Sequence, residues 1–291
     1  VETEALVIRG LEKSFRRFKL GPLDLNVPRG AIYGLIGANG AGKTTTIELI
    51  MRMGRKDAGT IEVFGLDHIK DEVAVKRQVG FVSPNLSFTP WGKINDLIEF
   101  YSAFYPDWDR AFCTDLMKRL KLSPGDTIET LSFGSRTKLN LLLALSHRPA
   151  LLLLDEPLVG LDAISKHEVF TELLDAVQDE NRTVLISSHN IDDIERFADH
   201  VGILHEGKLL LEGPTSDLVE RFRMVHCSST NGAAPKSIRG VYVQQQDGNR
   251  WRLLVDTQQN PVESLGAKGM TNITAAPVTL EEMFVAMVKG Q

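Results

Sequence analysis

Eight residues constrain this chain more than any other feature. Gly37-Ala38-Asn39-Gly40-Ala41-Gly42-Lys43-Thr44 places two glycines around four residues and ends on Lys-Thr. Before it runs the continuously apolar Ala31-Ile32-Tyr33-Gly34-Leu35-Ile36, the pattern of a strand buried on both faces, and after it helical periodicity begins at Lys43. A glycine-rich loop between such a strand and helix curls so that successive N–H groups point inward. The helix adds the positive end of its dipole, and together they form a nest for a polyanion. In this P-loop arrangement Lys43 reaches the β- and γ-phosphates of a nucleotide and the Thr44 hydroxyl ligates Mg²⁺. Residues 37–44, with Thr45 in the first helical turn, are therefore the expected nucleotide-binding set, with ATP and Mg²⁺ as the expected cofactors.

Two more apolar runs end abruptly on polar residues. Leu151-Leu152-Leu153-Leu154 stops at Asp155-Glu156, and Thr183-Val184-Leu185-Ile186 stops at Ser187-Ser188-His189. In open α/β sheets, ligands bind just past the carboxyl ends of parallel strands. After a P-loop, Asp155 is placed to hold Mg²⁺ through its water shell, and Glu156 to orient and deprotonate an attacking water.

The remaining pattern falls into blocks. Ala5 to Ile8 alternates into a glycine and then a polar turn, and Pro22 to Val27 alternates again, which predicts antiparallel strands. Arg16, Arg17 and Lys19 read as a solvated turn. From about residue 91 to 148 the pattern is helical, with Leu97, Ile98, Tyr101 and Phe104 at i, i+1, i+4 and i+7 and turn signals at Pro106 and Ser123-Pro124-Gly125. Small and polar residues dominate Ser228 to Ser237. A hairpin is expected next, Val241-Tyr242-Val243 against Trp251 to Val255, turning at Asp247-Gly248. Thr279 and Glu282 form a capping box for a last helix reaching about Val288. The expected fold is α/β: a P-loop NTPase with a RecA-like core, an antiparallel β subdomain and an inserted helical subdomain, plus a small C-terminal α+β appendage. This divides the chain into a nucleotide-binding domain over 1–222 and an accessory domain over 223–291.

Bulk properties exclude several classes. With 291 residues, 43% of them hydrophobic, the chain can bury a large core, and its net charge of −5 gives no general attraction to nucleic acid. Cys113 and Cys227 lie far apart, without zinc-ligand spacing or a disulfide framework, as in a reducing cytosol. The first residues carry no signal-peptide pattern, and no apolar stretch approaches the roughly 18 residues of a membrane span, so a membrane role is expected only through a partner.

Leu131-Ser132-Phe133-Gly134-Ser135, followed by a helix and then by Leu-Leu-Leu-Leu-Asp-Glu-Pro, resembles the signature motif of ABC transporter nucleotide-binding domains, and the resemblance covers about residues 5–218. Taken by itself, Ser132 is a helix N-cap. The resemblance implies that Ser132 and Gly134 bind the γ-phosphate of ATP held by the opposite subunit. It also implies that Gly160-Leu161-Asp162 is the D-loop linking two sites across a dimer, that His189 is the switch histidine, and that Phe15 stacks on adenine, with Phe18 close enough to compete. Two positions depart from the family pattern. Phe133 replaces the first signature glycine. Ser83-Pro84-Asn85 stands where a glutamine usually follows Val79-Gly80-Phe81-Val82, with Pro84 at its position and Asn85 a substitute if the register shifts by one.

The resemblance further implies an ATPase that dimerises, with itself or a related ATPase, around two ATP molecules. It would drive separate transmembrane permease subunits docked on the helical subdomain and the Pro84 loop, from the cytoplasmic inner face of the membrane. The ending Thr279-Leu280-Glu281-Glu282-Met283-Phe284 looks most like bacterial exporter ATPases of the drug, lantibiotic or ABC-2 kind. Competing readings are an ATP-binding regulatory subunit with weak hydrolysis and a soluble, non-transport ABC ATPase. The latter typically carries a coiled-coil insertion or a tandem domain, and neither is seen here.

Overall fold

The computed structural model describes residues 4–88, 92–178, 182–229 and 238–289. Alternating residues build β1 (Glu4–Ser14) and β2 (Lys19–Pro28), which join β4 (Ala58–Val63) and the short β5 (Leu66–Asp67) in an antiparallel sheet ordered β2-β1-β4-β5. The polar turn expected after Gly10 comes only past Ser14, because Gly10 itself is a bulge. Gly10 takes a φ of 55° where the pairing slips between Ile8 and Leu11, so the strand continues to Ser14. The chain reverses only at Phe15 to Phe18, where the Phe15 N–H donates to the Phe18 carbonyl at 2.8 Å.

The apolar runs lie side by side in the second sheet. It contains β3 (Ile32–Ile36), β6 (Val79–Val82), β7 (Leu151–Asp155), β8 (Thr183–Ser188), β9 (His200–His205) and β10 (Lys208–Pro214), in the order β10-β9-β3-β8-β7-β6. All neighbouring pairs are parallel except the edge strand β10. Successive residues of β7 enter opposite cores: Leu152 and Leu154 join one hydrophobic cluster, Leu151 and Leu153 the other. Both faces being covered is why these runs do not alternate. The helices α1 (Lys43–Ile50) and α2 (Glu72–Gln78) follow β3 and precede β6, while α6 (Ala163–Gln178), α7 (Ile191–Glu195) and α8 (Thr215–Arg221) follow β7, β8 and β10.

Between β6 and β7 lie α3 (Ile94–Ser102), α4 (Arg110–Arg119), a 3-10 turn at Ile128–Thr130 and α5 (Phe133–Ser146). Leu97 and Ile98 are buried as their spacing predicts, but Phe104 is 61% exposed and meets Phe100 edge-on at 5.0 Å. The helix has already stopped at Ser102, ahead of Pro106, whose ring disfavours helix in the residue before it. Trp91, the expected start of this block, lies outside the described residues.

The C-terminal part comprises β11 (Phe222–Ser229), β12 (Val241–Asp247), β13 (Arg250–Asp256), α9 (Ser264–Ala267), β14 (Met270–Ala276) and α10 (Leu280–Lys289), its strands forming an antiparallel sheet ordered β12-β13-β11-β14. Of the polar stretch 228–237, residues 230–237 lie outside the described residues. The hairpin forms, but it turns at Gly248-Asn249 and not at Asp247-Gly248. A bulge between Val243 and Gln245 shifts the register, so Asp247 pairs with Arg250. The capping box is present: Thr279 N–H donates to Glu282 Oε2 and Glu282 N–H to Thr279 Oγ1, both at 3.2 Å. One face of this sheet, with Met224 and Leu254, shares a cluster with Met283 and Met287 of α10 and with Ile191 and Ile194 of α7. The other face closes its own core around Val225, Trp251, Leu253 and Leu265.

A buried ion pair fixes the junction of α8 with this sheet. Arg221 donates through Nε and Nη2 to Asp256 at 2.9 and 2.6 Å, and Asp256 is 1% exposed. Burial alone would raise the Asp256 pKa, but the hydrogen bonds and charge of Arg221, joined by hydrogen bonds from Gln258 and Gln259, outweigh it and hold the carboxyl below the usual range. Because the folded-state pKa is depressed, this stabilisation is present above the unfolded value near 3.9 and is lost as pH falls through the folded value. Arg221→Ala is expected to destabilise the fold by about 3 kcal/mol at pH 7, leaving a buried carboxylate without its counter-charge and held only by the Gln258 N–H and the Gln259 amide. Urea unfolding should show that loss shrinking below about pH 4 as Asp256 takes up a proton.

Candidate functional site

The loop after β3 closes around its own lysine. Gly42 caps α1 with a φ of 111°, a conformation closed to most side chains, and a β-carbon there would meet Leu20 at 2.9 Å and Phe18 at 3.0 Å. Lys43 is 5% exposed, and its Nζ donates to the carbonyls of Gly37 at 2.7 Å and Ala38 at 3.2 Å. Ala38, Asn39 and Gly40 form the exposed tip, Ala41 is buried, and Thr44 and Thr45 lie half-buried in the first turn of α1.

Strand register brings the other groups to this loop. Ile36 lies beside Ser188 and Asp155 beside Ser187, so the ends of β3, β8 and β7 are adjacent. Asp155 Oδ1 accepts from Thr44 Oγ1 at 3.0 Å and from Ser187 Oγ at 2.8 Å, while Ser83 Oγ lies 3.4 Å from Oδ2. Burial raises the Asp155 pKa, and the hydroxyls of Ser187 and Thr44 oppose that shift. Burial and the nearby Asp155 charge likewise raise Glu48, one turn along α1.

Glu156 sits in the left-handed region, φ 46°, where a non-glycine residue is held only by its surroundings. Its N–H donates to Ser187 Oγ at 3.0 Å. One carboxylate oxygen lies 3.1 Å from Lys43 Nζ and the other 2.9 Å from His189 Nδ1. Lys43, Thr44, Asp155, Glu156 and His189 thus form one connected set. The glycine-rich loop and the strand ends pointed to Lys43, Thr44, Asp155 and Glu156 and the family resemblance to His189, while Ser187 and Ser83 were not singled out. Ser187 was visible as the first hydroxyl after its apolar run.

The donors suit a hard cation. Among the described residues no cluster of three or more His, Cys, Asp or Glu side chains could hold a metal by itself. A single buried carboxylate beside a threonine hydroxyl is what Mg²⁺ requires when phosphates and waters complete its shell, so Thr44 and Asp155 fit it.

Ser132, Gly134 and Asp162 gather separately. Ser132 Oγ accepts from the Ser135 N–H at 3.1 Å, capping α5. Phe133 opens that helix with an ordinary negative φ, so losing the glycine there introduces no left-handed strain. Its ring lies over Gly160, where a β-carbon would sit 2.9 Å from Phe133 Cε1 and where φ is 74°. A β-carbon on Gly134 would meet Ser165 Oγ at 3.3 Å. Asp162 caps α6, accepting from the N–H groups of Ile164 and Ser165 at 3.0 and 2.9 Å, and these bonds, that of Ser165 foremost, lower its pKa. Among the described residues no hydrogen bond joins this group to Lys43 or Thr44 within one chain.

Of the two aromatics ahead of the loop, Phe15 is 51% exposed and Phe18 stands 6.1 Å from it. Phe18, with Ala38 to Ala41 and His205, lines the hollow beside the loop, and Phe15 does not. Pro84 and Asn85 are exposed, and the side chain of their loop that approaches Asp155 is Ser83.

The family profile of ABC transporters matches residues 20–159. The chain is 30% identical over 276 residues to the ABC transporter ATP-binding protein YtrB of Bacillus subtilis, covering 94% of each protein. It is 34% identical over 286 residues to the bacitracin transport ATP-binding protein BcrA of Bacillus licheniformis, covering 92% of each. To the lantibiotic transport ATP-binding protein SrtF of Streptococcus pyogenes it is 31% identical over 216 residues, 71% of this chain and 90% of that one. Among solved structures, the ATP-binding subunit of an ABC transporter superposes with a TM-score of 0.68 at 23% identity, covering 74% of this chain and 92% of that one. At that identity the likeness is one of fold.

The contact of Phe133 with Gly160 gives a direct test. Gly160→Ala is expected to cost about 2 kcal/mol, part from the left-handed backbone and part from the ring above it. In a Phe133→Ala background the steric part should vanish, and chemical denaturation of the four proteins should show a coupling of about 1 kcal/mol.

Proposed function

The chain belongs to the family of ABC transporter ATP-binding proteins, and from that premise we propose that it binds and hydrolyses ATP in a dimer that powers export through separate membrane subunits. The observation that carries the reading is the convergence of Lys43, Thr44, Asp155, Glu156 and His189 at three adjacent strand ends. Residues 37–45 cradle the phosphates, and Lys43 places its charge against them. Thr44 and Asp155 hold Mg²⁺, which neutralises phosphate charge when bound. Glu156 takes the proton of the attacking water, and His189, already on the Glu156 carboxylate at 2.9 Å, steadies the group near the γ-phosphate. Phe15, 51% exposed, or Phe18, which lines the hollow beside the loop, would stack on the base.

Ser132 is exposed and Gly134 packs beside Ser165, in a cluster apart from Lys43 and Thr44, which supports their acting on the nucleotide of a second subunit, with Asp162 shaping the loop between the two sites. The second subunit is a copy of this chain or a related ATPase. No described helix is long and apolar enough to cross a membrane. Separate permease subunits docked on the helical segment and the Pro84 loop would therefore carry the substrate and hold the chain at the inner membrane face. Export is the direction favoured by the likeness to the bacitracin and lantibiotic transport proteins. Residues 1–222 act as the nucleotide-binding domain. Residues 223–291 act as an accessory domain, whose α10 leans on α7, the helix that follows His189, with Leu280 N–H donating to Glu195 at 3.3 Å.

Light scattering and turnover test this together. Glu156→Gln should lower kcat by a factor on the order of 10²–10⁴. In that variant Mg-ATP should convert monomer to dimer, and adding Ser132→Arg should abolish the dimer. Unchanged turnover in Glu156→Gln would contradict the assignment of the base.

A further inference from the structure

Hydrogen bonds in the loop after β6 account for its unusual sequence. Leu86 N–H donates to the Ser83 carbonyl at 3.1 Å, closing a four-residue turn with Pro84 second. That position asks for the φ near −65° that a proline ring supplies. Pro84 therefore serves the backbone, and the polar contact comes from the residue before it. Asn85 N–H donates to Ser83 Oγ at 3.3 Å, so the hydroxyl accepts there and its one proton is free to be donated to Asp155 Oδ2, 3.4 Å away. Thr44 and Ser187 already occupy Oδ1. Ser83 is the hydroxyl that addresses the other oxygen.

Ser83 is also tied to the signature helix. Its carbonyl takes a second hydrogen bond from Asn140 Nδ2 at 3.2 Å, and both residues are almost fully buried, at 4% and 5% exposure. Asn140 lies on α5, eight residues from the capping Ser132, roughly 12 Å along the helix. A buried amide donor needs a partner, and here the Ser83 carbonyl is that partner, tying the loop to α5.

We propose that Ser83 is a positioning residue for the Mg²⁺ carboxylate, fixing Asp155 through Oδ2, and that Asn140 joins it to the helix that begins at the signature serine. The contact of 3.4 Å is long, and hydrogen bonds at such sites shorten when the site is loaded. A movement of α5 on dimer closure is thereby transmitted to Asp155 by two hydrogen bonds, with no glutamine in the loop. This rests on the reading of Asp155 as the carboxylate facing Mg²⁺.

The test is the Mg²⁺ enhancement of nucleotide affinity: the dissociation constant of the full chain for the β,γ-imido analogue of ATP, measured calorimetrically with EDTA and with Mg²⁺. Ser83→Ala should cut that enhancement about tenfold, the size of effect typical of residues that orient metal ligands, with metal-free affinity unchanged. Ser83→Thr should restore it. Asn140→Leu, which removes the donor at similar size, should reduce it about threefold, less because it acts through Ser83. An enhancement in Ser83→Ala within about twofold of wild type, while Thr44→Ala abolishes it, overturns the proposal and leaves the site reading intact. A wild-type chain with no Mg²⁺ enhancement overturns both.

Discussion

The register of three parallel strands is the constraint on which the site depends. Ile36 beside Ser188 and Asp155 beside Ser187 place the glycine-rich loop, Asp155 and His189 within reach of one another. Side chains alternate faces along a strand, so slipping β7 by one residue would turn Asp155 away from Thr44 and send Leu154 into its place. That register is held by burial on both faces, since the residues of β7 enter two different cores. The fold's apolar content thus sets the geometry of its most polar region.

Strain and close approach are concentrated beside that region. Glu156 is held at positive φ by the Ser187 hydroxyl and by contacts of its carboxylate with Lys43 and His189. Residues kept in such conformations mark places where surrounding structure over-determines the backbone. Ser187 does two things with one hydroxyl: it donates to Asp155 and accepts from Glu156 N–H, so both acids are aimed by the same atom. Gly160 lies flat beneath Phe133, which lets a large residue stand in the signature motif without displacing the loop that follows Glu156.

Much of this was legible in the sequence, and the gaps share a cause. Strand-end patterns and the glycine spacing point to Lys43, Thr44, Asp155 and Glu156 because period and abrupt polarity changes are local properties of a chain, whereas His189 is singled out from its serine neighbours only by the family resemblance. Bulges are not local in that sense. Gly10 reads as the lead into a turn and Asp247-Gly248 as a hairpin tip until cross-strand pairing shows a slipped register at each. Phe104 fits the helical period but falls beyond a helix that stops at Ser102. Phe15 and Phe18 cannot be told apart by spacing, and only three-dimensional placement puts Phe18 beside the loop. Ser83 was hidden because a serine before a proline has no distinctive pattern, although its hydroxyl proves to lie within reach of Asp155.

The central claim is that residues 37–45 and the two neighbouring strand ends make one nucleotide site per chain. A calorimetric titration of the full chain with Mg-ADP, beside the same titration of Lys43→Ala, tests it most directly. The account predicts one ADP per chain in the wild type and an affinity at least tenfold weaker in the variant, where a buried charge-assisted contact to phosphate is lost. Equal affinity in the two proteins, or no binding in the wild type, would contradict it.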